Sequence, residues 1–342
     1  MAIELSNLTF TNKADIVPIS GTEQIINTGI ANTFAGNDII TGTITGSDRF
    51  GILNSGTINT GAGDDIITGI CDENTIIPGG GIRNEGGTIN TDDGDDIITG
   101  TGQAGSGIFT SLGTINTGDG NDKIIGTAID SGVNVNYQGI IDTGKGNDII
   151  TGTGGYGVEN YFIITTGDGN DKITGNGTLT GGYGIVNVGT MDTGAGNDKI
   201  TGTNTTGWGI YNYSGSTIDT GAGKDKIIGT GSTGIYNNGI INTGNGEDSI
   251  IADGGFNGIG SVFLGKDKDY LKGFGSGNFY GGSGKDTLEL TTGNYTIGIS
   301  GATVNFTSNG ITMNTSEFEK LIAGSTKYDF ASLTDGQTII VA

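Results

Sequence analysis

The stretch DTGAGNDKITGT, residues 192–203, contains the local pattern that decides the fold of this 342-residue chain. Close variants recur along the sequence, and in each of them a glycine-rich turn ends in an aspartate that is followed two residues later by an apolar residue. Successive aspartates of this kind lie 23 to 31 residues apart, with a period of about 26. A period of this length indicates a solenoid, in which each repeat forms one coil and packs only against its neighbours.

The composition favours a thin, β-rich fold. Hydrophobic residues make up 33% of the chain and aromatic residues 7%, which is too little for a thick globular core but enough for a narrow one. The 71 glycines alternate with Ile, Thr, Asn and Asp and form no collagen triplet, which is typical of turns that join short strands.

Two apolar columns and one asparagine column define the coil. Because side chains alternate across a strand, the apolar residue after each aspartate turn is predicted to face inward. This first column consists of Ile40, Ile67, Ile98, Ile124, Ile150, Ile173, Ile200, Ile227 and Ile250. A second column, in segments such as GILNSGTIN (residues 51–59), consists of Ile52, Ile82, Ile108, Val133, Val158, Ile185, Ile210 and Ile235. The pattern predicts a parallel β-roll or β-helix solenoid with two sheets, about 26 residues per coil, and the aspartate turns stacked along one edge.

The asparagines of the second segment have two interpretations. They are Asn54, Asn84, Asn160, Asn187, Asn212 and Asn237. Stacked at the strand spacing of about 4.8 Å, their amides bond to one another up the solenoid. In the alternative interpretation they only form turns.

The net charge points to cations as partners. The chain carries 37 acidic and 15 basic residues, a formal charge of −22, and such a field repels nucleic acid and anionic membranes. Histidine is absent and Cys71 is the single cysteine, which excludes the commonest zinc ligands and an intrachain disulfide. No apolar run approaches the roughly 20 residues of a membrane span, so we expect neither a membrane span nor a nucleic-acid partner.

The turn itself, T-G-x-G-[ND]-D-x-I, has the chemistry of a calcium loop. Glycines allow a positive φ and close backbone approach, so that carbonyl oxygens point towards one spot, and the aspartate adds a charged oxygen. Ca²⁺ takes six to eight such oxygens at about 2.3 to 2.6 Å. We therefore predict several calcium ions, roughly eight, each shared by two neighbouring turns. In the alternative, the aspartates form Asx turns without a metal.

The predicted calcium ligands are the turn aspartates and glycines. The aspartates are Asp38, Asp65, Asp96, Asp122, Asp148, Asp171, Asp198, Asp225, Asp248, Asp269 and Asp286. The glycines are Gly36, Gly61, Gly63, Gly94, Gly118, Gly120, Gly144, Gly146, Gly167, Gly169, Gly194, Gly196, Gly221, Gly223, Gly244, Gly246, Gly282 and Gly284. Turns that carry Asp92 or Asp267 in place of a glycine, or Lys224, Lys268 or Lys285 before the aspartate, are expected to bind more weakly.

One segment resembles a known family. The stretch GGSGKDTLE, residues 281–289, is similar to the G-G-x-G-x-D-x-U-x nonapeptide of the RTX, or haemolysin-type calcium-binding, repeats. The turns between residues 33 and 280 resemble this pattern less completely, because threonine replaces the first glycine, as in Thr60 and Thr117. The resemblance implies a calcium-binding β-roll, here with calcium on one edge only, and a secreted protein whose C-terminal segment directs type I export.

These observations divide the chain into three regions. Residues 1–34 are expected to form an N-terminal cap with a partial coil, residues 35–289 the calcium-binding solenoid, and residues 290–342 a β-rich C-terminal cap that includes the secretion signal.

The main functional hypothesis is a secreted or cell-surface structural protein that binds calcium and associates with itself into a coat, matrix or filament. Ice binding is an alternative, because Thr41, Thr68, Thr99, Thr151, Thr174 and Thr201 align on an outward face, although Lys123, Lys172, Lys199 and Lys226 interrupt it. Binding of a surface polysaccharide is another, through Tyr156, Tyr161, Tyr183, Trp208, Tyr211 and Tyr213, which otherwise act as packing lids. An enzyme that modifies polysaccharides is a less favoured alternative. We expect no enzyme, because the carboxylates repeat along one edge and no coil is distinguished as an active site.

Overall fold

A computed structural model describes residues 2–18, 23–44, 50–72 and 79–342. The chain forms a parallel β-solenoid built from one 23-stranded and one 15-stranded sheet, with a further two-stranded pair. This confirms the predicted all-β solenoid with two main sheets. The described residues contain two short 3-10 turns, Leu5–Asn7 and Phe330–Ser332, and no α-helix. Accordingly, this part of the chain has no helix of the length and apolarity needed to cross a membrane.

Each coil contains three strands, which we name by position. The aspartate strand follows the aspartate turn, the glycine strand contains the second apolar column, and the short strand leads into the next aspartate turn. Ile97–Gly102, Ser106–Ser111 and Thr114–Asn116 form one such coil. The first two strands of every coil belong to the larger sheet and the short strand to the smaller one. The structure thus resolves the second half of each repeat into two strands.

The strand bounds follow this order along the chain. The aspartate strands are Ile16–Val17, Ile39–Ile44, Ile66–Cys71, Ile97–Gly102, Lys123–Thr127, Ile149–Gly154, Lys172–Gly177, Ser249–Asp253, Tyr270–Lys272, Thr287–Leu290 and Lys320–Ala323. The glycine strands are Ala2–Glu4, Gln24–Asn27, Phe50–Asn54, Gly80–Glu85, Ser106–Ser111, Ser131–Val135, Tyr156–Asn160, Tyr183–Asn187 and Phe256–Asn257. In two coils the aspartate and glycine strands are continuous, as Lys199–Asn212 and Lys226–Asn237. The short strands are Ile30–Asn32, Thr57–Asn59, Thr88–Asn90, Thr114–Asn116, Ile140–Asp142, Ile163–Thr165, Thr190–Asp192, Thr217–Asp219, Ile240–Asn242, Ser261–Phe263 and Gly277–Tyr280.

The core contains one apolar side chain from each strand of a coil. In the coil named above, Ile98, Ile108 and Ile115 are fully buried. Parallel pairing keeps the same position aligned from coil to coil, so that Ile98 pairs with Ile67 on one side and Ile124 on the other. Burying each isoleucine contributes roughly 1.5 to 3 kcal/mol. A continuous column of isoleucine therefore stabilises every strand position without a thick core.

Opposed glycines make the solenoid narrow beside this isoleucine core. Within one coil, the aspartate strand and the glycine strand approach so closely that a Cβ atom built on Gly202 would lie 2.2 Å from the carbonyl oxygen of Gly209. Gly100 and Gly107 have the same relation, at 2.1 Å. No side chain fits between the two backbones, which explains why both strands carry a glycine at this level.

A buried asparagine ladder holds the corner between the glycine and short strands. Asn54 donates its side-chain amide to Asn84 Oδ1 over 2.8 Å and to the carbonyl of Thr88 over 3.0 Å. Asn160, Asn187, Asn212 and Asn237 continue the same amide-to-amide pattern. Where the column lacks asparagine, Asn84 donates to the Thr110 hydroxyl instead. The asparagines therefore bond along the solenoid as predicted.

The two ends of the solenoid differ in strand direction. At the N-terminal end, Ala2–Glu4 pairs in parallel with Gln24–Asn27 and Ile16–Val17 pairs in parallel with Ile39–Ile44, and Leu5 is buried. At the C-terminal end, Gly293–Ser300, Thr303–Ser308, Ile311–Ser316 and Thr338–Val341 form an antiparallel meander. Lys320–Ala323 and Thr326–Asp329 form a hairpin. The antiparallel strands end the addition of coils at this end.

Replacing Gly202 with alanine is predicted to destabilise the solenoid strongly, because the new methyl group would overlap the Gly209 backbone. We expect a loss of more than about 2 kcal/mol in the free energy of unfolding. Gly298→Ala is the matched control, since its Cβ would meet its nearest neighbour only at 3.8 Å, and we expect it to be neutral or slightly stabilising. Urea denaturation followed by circular dichroism measures both. Equal free energies of unfolding for the two variants would contradict the close approach of the Gly202 and Gly209 backbones.

Candidate metal site at the aspartate edge

The eleven turn aspartates form one buried column. None of them has more than 2% of its surface exposed. The column consists of Asp38, Asp65, Asp96, Asp122, Asp148, Asp171, Asp198, Asp225, Asp248, Asp269 and Asp286. The turn directs each carboxylate into the edge of the solenoid, so that eleven of the chain's 37 acidic residues are withdrawn from solvent.

One oxygen of each carboxylate joins two coils. The backbone amide of Asp122 donates to Asp148 Oδ1 over 2.8 Å, and the amide of Asp148 donates to Asp171 Oδ1 over 2.8 Å. The same bond repeats between every adjacent pair of aspartates from Asp38 to Asp286. Each aspartate thus satisfies the buried amide of the preceding coil, which a tight turn would otherwise leave without a partner.

Two residues outside the repeat close this ladder. The amide of Asp15 donates to Asp38 Oδ1 over 2.7 Å, and the amide of Asp286 donates to Glu319 Oε2 over 2.7 Å. The sequence motif identified neither residue. Glu319 lies 33 residues after Asp286 and no glycine turn precedes it, so only the folded chain brings it to the aspartate edge.

The second oxygen of most of these carboxylates has no hydrogen-bond partner among the described residues. These buried Oδ2 atoms belong to Asp65, Asp96, Asp122, Asp148, Asp171, Asp198, Asp225, Asp248, Asp269 and Asp286. In the first turn, by contrast, the Thr33 hydroxyl donates to Asp38 Oδ2. A buried carboxylate oxygen without a donor is costly, and more so when the group is charged.

The turn glycines have the backbone geometry that the sequence predicted. All the glycines predicted as ligands except Gly120 have a φ in the left-handed range. A Cβ atom on Gly196 would lie 1.4 Å from the Gly169 carbonyl oxygen, so successive turns stack directly on one another. Phe34, Asp92 and Asp267 adopt the same positive φ, at 74°, 58° and 82°, which is strained for a side chain as large as phenylalanine.

An outer ladder covers the buried one. The residue before each turn aspartate is exposed, and in the central coils it is an asparagine. The amide and side chain of Asn147 both donate to Asn121 Oδ1, over 3.0 and 2.8 Å, and Asn170 and Asn197 repeat the pattern. These bonds run towards the preceding coil, opposite to those that the aspartate oxygens accept. Hydrogen bonds at this edge therefore connect each turn to both the preceding and the following coil.

Burial raises the pKa of the column. It raises the pKa of Asp96, Asp122, Asp171 and Asp225 to about 7 and that of Asp65, Asp148, Asp248 and Asp286 to about 6. The pKa of Asp269 rises to about 8, and neighbouring carboxylates add to the effect of burial there. The amide bond from the adjacent coil and, in most turns, the nearby threonine hydroxyl lower the pKa but do not offset burial.

The donor set of this edge suits a hard cation. Within residues 2–18, 23–44, 50–72 and 79–342, no three Asp, Glu, Cys or His side chains converge on one point. An ion would therefore combine carboxylate oxygens of the column with backbone carbonyls and the buried turn threonines, such as Thr117 and Thr143. All of these are the oxygen ligands that Ca²⁺ prefers, and the partnerless Oδ2 atoms provide the negative charge.

Comparisons with known proteins give a likeness to a solved structure. A scan against protein-family models finds no match, and neither does a search of curated proteins. Among solved structures, the chain is similar to an X-ray crystal structure of a hyperactive, Ca²⁺-dependent, β-helical antifreeze protein from an Antarctic bacterium, with 17% sequence identity. The match covers 84% of this chain and 80% of that chain, with a TM-score of 0.42. A likeness at this level carries no argument about ligands.

Without metal, the protein is predicted to be most stable at acidic pH. The pKa of an aspartate such as Asp122 rises from 3.8 to about 7 in the folded chain, so the folded chain binds more protons than the unfolded chain between these values. The free energy of unfolding therefore falls as pH rises from about 4 to about 7. Urea denaturation of the metal-free protein across this range measures the slope.

Asp148→Asn provides the control for this pH dependence. Asparagine keeps an oxygen for the Asp122 amide but cannot titrate. For this variant we expect a shallower dependence of the free energy of unfolding on pH, corresponding to at most one bound proton fewer. Stability that stays constant or increases between pH 4 and 7 would contradict a column of raised pKa.

Proposed function

We propose that this chain is a secreted structural solenoid that takes up Ca²⁺ along its aspartate column and becomes rigid by doing so. The observation that supports the proposal is the set of ten buried Oδ2 atoms that have no hydrogen-bond donor within the described residues. At neutral pH a cation beside these oxygens would balance the charge of the buried carboxylates. A calcium ion between neighbouring turns supplies the charge and uses the turn carbonyls as further ligands.

The electrostatics of the column favour a cation over bare carboxylates. Adjacent turns are about 4.8 Å apart, and two charges at that distance repel by roughly 3 kcal/mol at an effective dielectric constant of about 20. Roughly eight calcium ions would offset most of the formal charge of −22. Calcium uptake and folding are then coupled, because the site exists only where coils stack.

The extracellular location and self-association belong to the same proposal. The resemblance of residues 281–289 to the RTX nonapeptide supports secretion, since calcium is abundant outside cells and extracellular modules bind it at about 10⁻⁴ to 10⁻³ M.

The aromatic residues are better placed to pack against one another than to stack on a sugar. The ring centroids of Tyr156 and Tyr183 are 5.7 Å apart and those of Tyr183 and Trp208 are 5.1 Å apart, with the rings stacked, so their faces cover one another.

Removing one carboxylate charge from the column is predicted to weaken calcium uptake. Asp148→Asn retains the bond from the Asp122 amide but offers a neutral oxygen, and because each ion is shared by two turns, two neighbouring sites lose affinity. We expect a lower calcium stoichiometry by isothermal titration calorimetry and a higher calcium midpoint for folding by circular dichroism.

Asp253→Asn is the matched control for this experiment. Asp253 is the last residue of the Ser249–Asp253 strand, outside the aspartate column, and its side chain is exposed. The substitution makes the same change in net charge, and its calcium uptake is expected to equal that of the parent chain. A parent chain that takes up no calcium, or two variants with the same deficit, would overturn the proposal.

Ice binding is the second candidate function, and one observation favours it. Threonines lie on outward strand faces in strict register, as in Thr41, Thr68 and Thr99 on successive aspartate strands. A rigid rank of hydroxyl and methyl groups at a constant spacing can hold water molecules in a regular array. The calcium-loaded protein is then predicted to show thermal hysteresis, the gap between the melting and freezing points of ice crystals in its solution.

A further inference from the structure

Two outward faces of the solenoid carry threonine ranks, and they differ in charge. On the aspartate-strand face, Lys172, Lys199 and Lys226 pair in register in three consecutive coils and are exposed. They lie two residues before the threonine position of the same face. A lysine ammonium is a strongly hydrated point charge on a flexible stem, so this rank disrupts an ordered water layer beside the threonines.

We call the outward residues of the short strands from Thr57 to Asn242 the short-strand face. They form two columns without lysine, arginine or glutamate, in which Asp142, Asp192 and Asp219 are the charged residues. The first column is Thr57, Thr88, Thr114, Ile140, Ile163, Thr190, Thr217 and Ile240. The second column is Asn59, Asn90, Asn116, Asp142, Thr165, Asp192, Asp219 and Asn242. Between them the middle residue of each strand is buried, so both columns point away from the core.

Hydrogen bonds fix the second column in place. Asn90 donates its side-chain amide to Asn59 Oδ1 over 2.9 Å, and Asn116 donates to Asn90 Oδ1 over 2.9 Å. Asn242 donates to Asp219 over 3.1 Å. The first column consists of β-branched residues, which are stiff about χ1. The face therefore presents polar and methyl groups whose positions are set before any ligand binds.

A shallow groove runs between the two columns. It has a volume of about 590 Å³ and is lined by Thr57, Thr88 and Thr114 on one side and Asn59, Asn90 and Asn116 on the other. The groups along a column repeat at the strand spacing of about 4.8 Å, and the two columns lie two residues apart, about 6.8 Å. The face is thus a two-dimensional lattice of donors and acceptors with room for a row of water molecules.

We propose that the short-strand face, not the aspartate-strand face, is the surface that binds ice, with the water molecules of an ice plane as its ligand. The assignment rests on ice binding as the second candidate function. Within the described residues, this face combines the groove, the amide ladder and the absence of a lysine rank, whereas the aspartate-strand face carries the lysine rank.

The test compares two threonines of adjacent coils. Thr88 lies on the short-strand face and Thr99 on the aspartate-strand face, and both are half-buried strand residues. Tyrosine is compatible with a strand but protrudes from its surface. In the calcium-loaded protein, Thr88→Tyr is expected to lose more than half of the thermal hysteresis of the parent chain, whereas Thr99→Tyr retains it. Circular dichroism checks that both variants are folded.

The possible outcomes test ice binding and the assignment of the ice-binding face separately. A parent chain with no thermal hysteresis would overturn ice binding, and the face assignment with it. An active parent that loses its hysteresis through Thr99→Tyr, in the folded state, would overturn the face assignment and leave ice binding in place. Equal losses in both variants would also contradict the choice of the short-strand face.

Discussion

The bond between an aspartate carboxylate and the amide of the aspartate one coil earlier is the contact on which this solenoid edge depends. A turn this tight buries its backbone amides, and a buried amide requires an acceptor. Asp171 Oδ1 provides it for Asp148, and the pattern repeats along the column. Because the acceptor comes from the next coil, the same bond that satisfies the turn also fixes the register of stacking. The in-register columns of isoleucine, threonine and asparagine follow from it.

The solenoid has two such ladders, and they differ in charge. At the opposite corner, an asparagine such as Asn187 accepts from one neighbour and donates to the next through its own amide, so the ladder is complete without any ligand. A carboxylate only accepts, and its second oxygen has no donor in most turns. The aspartate edge therefore buries carboxylate charge at neutral pH that the asparagine corner does not. This asymmetry connects the acidic composition of the chain to the proposed structural role of calcium.

Much of the fold could be predicted from the sequence because the repeat is regular. The column that contains Ile98 and Ile124 alternates as a strand requires, and its burial is as expected. The separate short strand was not predicted, because the glycines at which the chain turns, such as Gly86 and Gly87, were not distinguished from the many other glycines of the repeat. Likewise the motif could not indicate that Asp15 and Glu319 close the aspartate ladder, since their positions depend on how the two ends fold over the coils.

The direct measurement of the central claim is anomalous X-ray diffraction from crystals grown with calcium. The account predicts anomalous peaks along the aspartate edge, each beside an Oδ2 atom that otherwise has no partner, with the strongest in the regular coils around Asp148 and Asp171. Ordered density for the whole column without any such peak, at neutral pH and millimolar calcium, would contradict the claim that these carboxylates form a cation site.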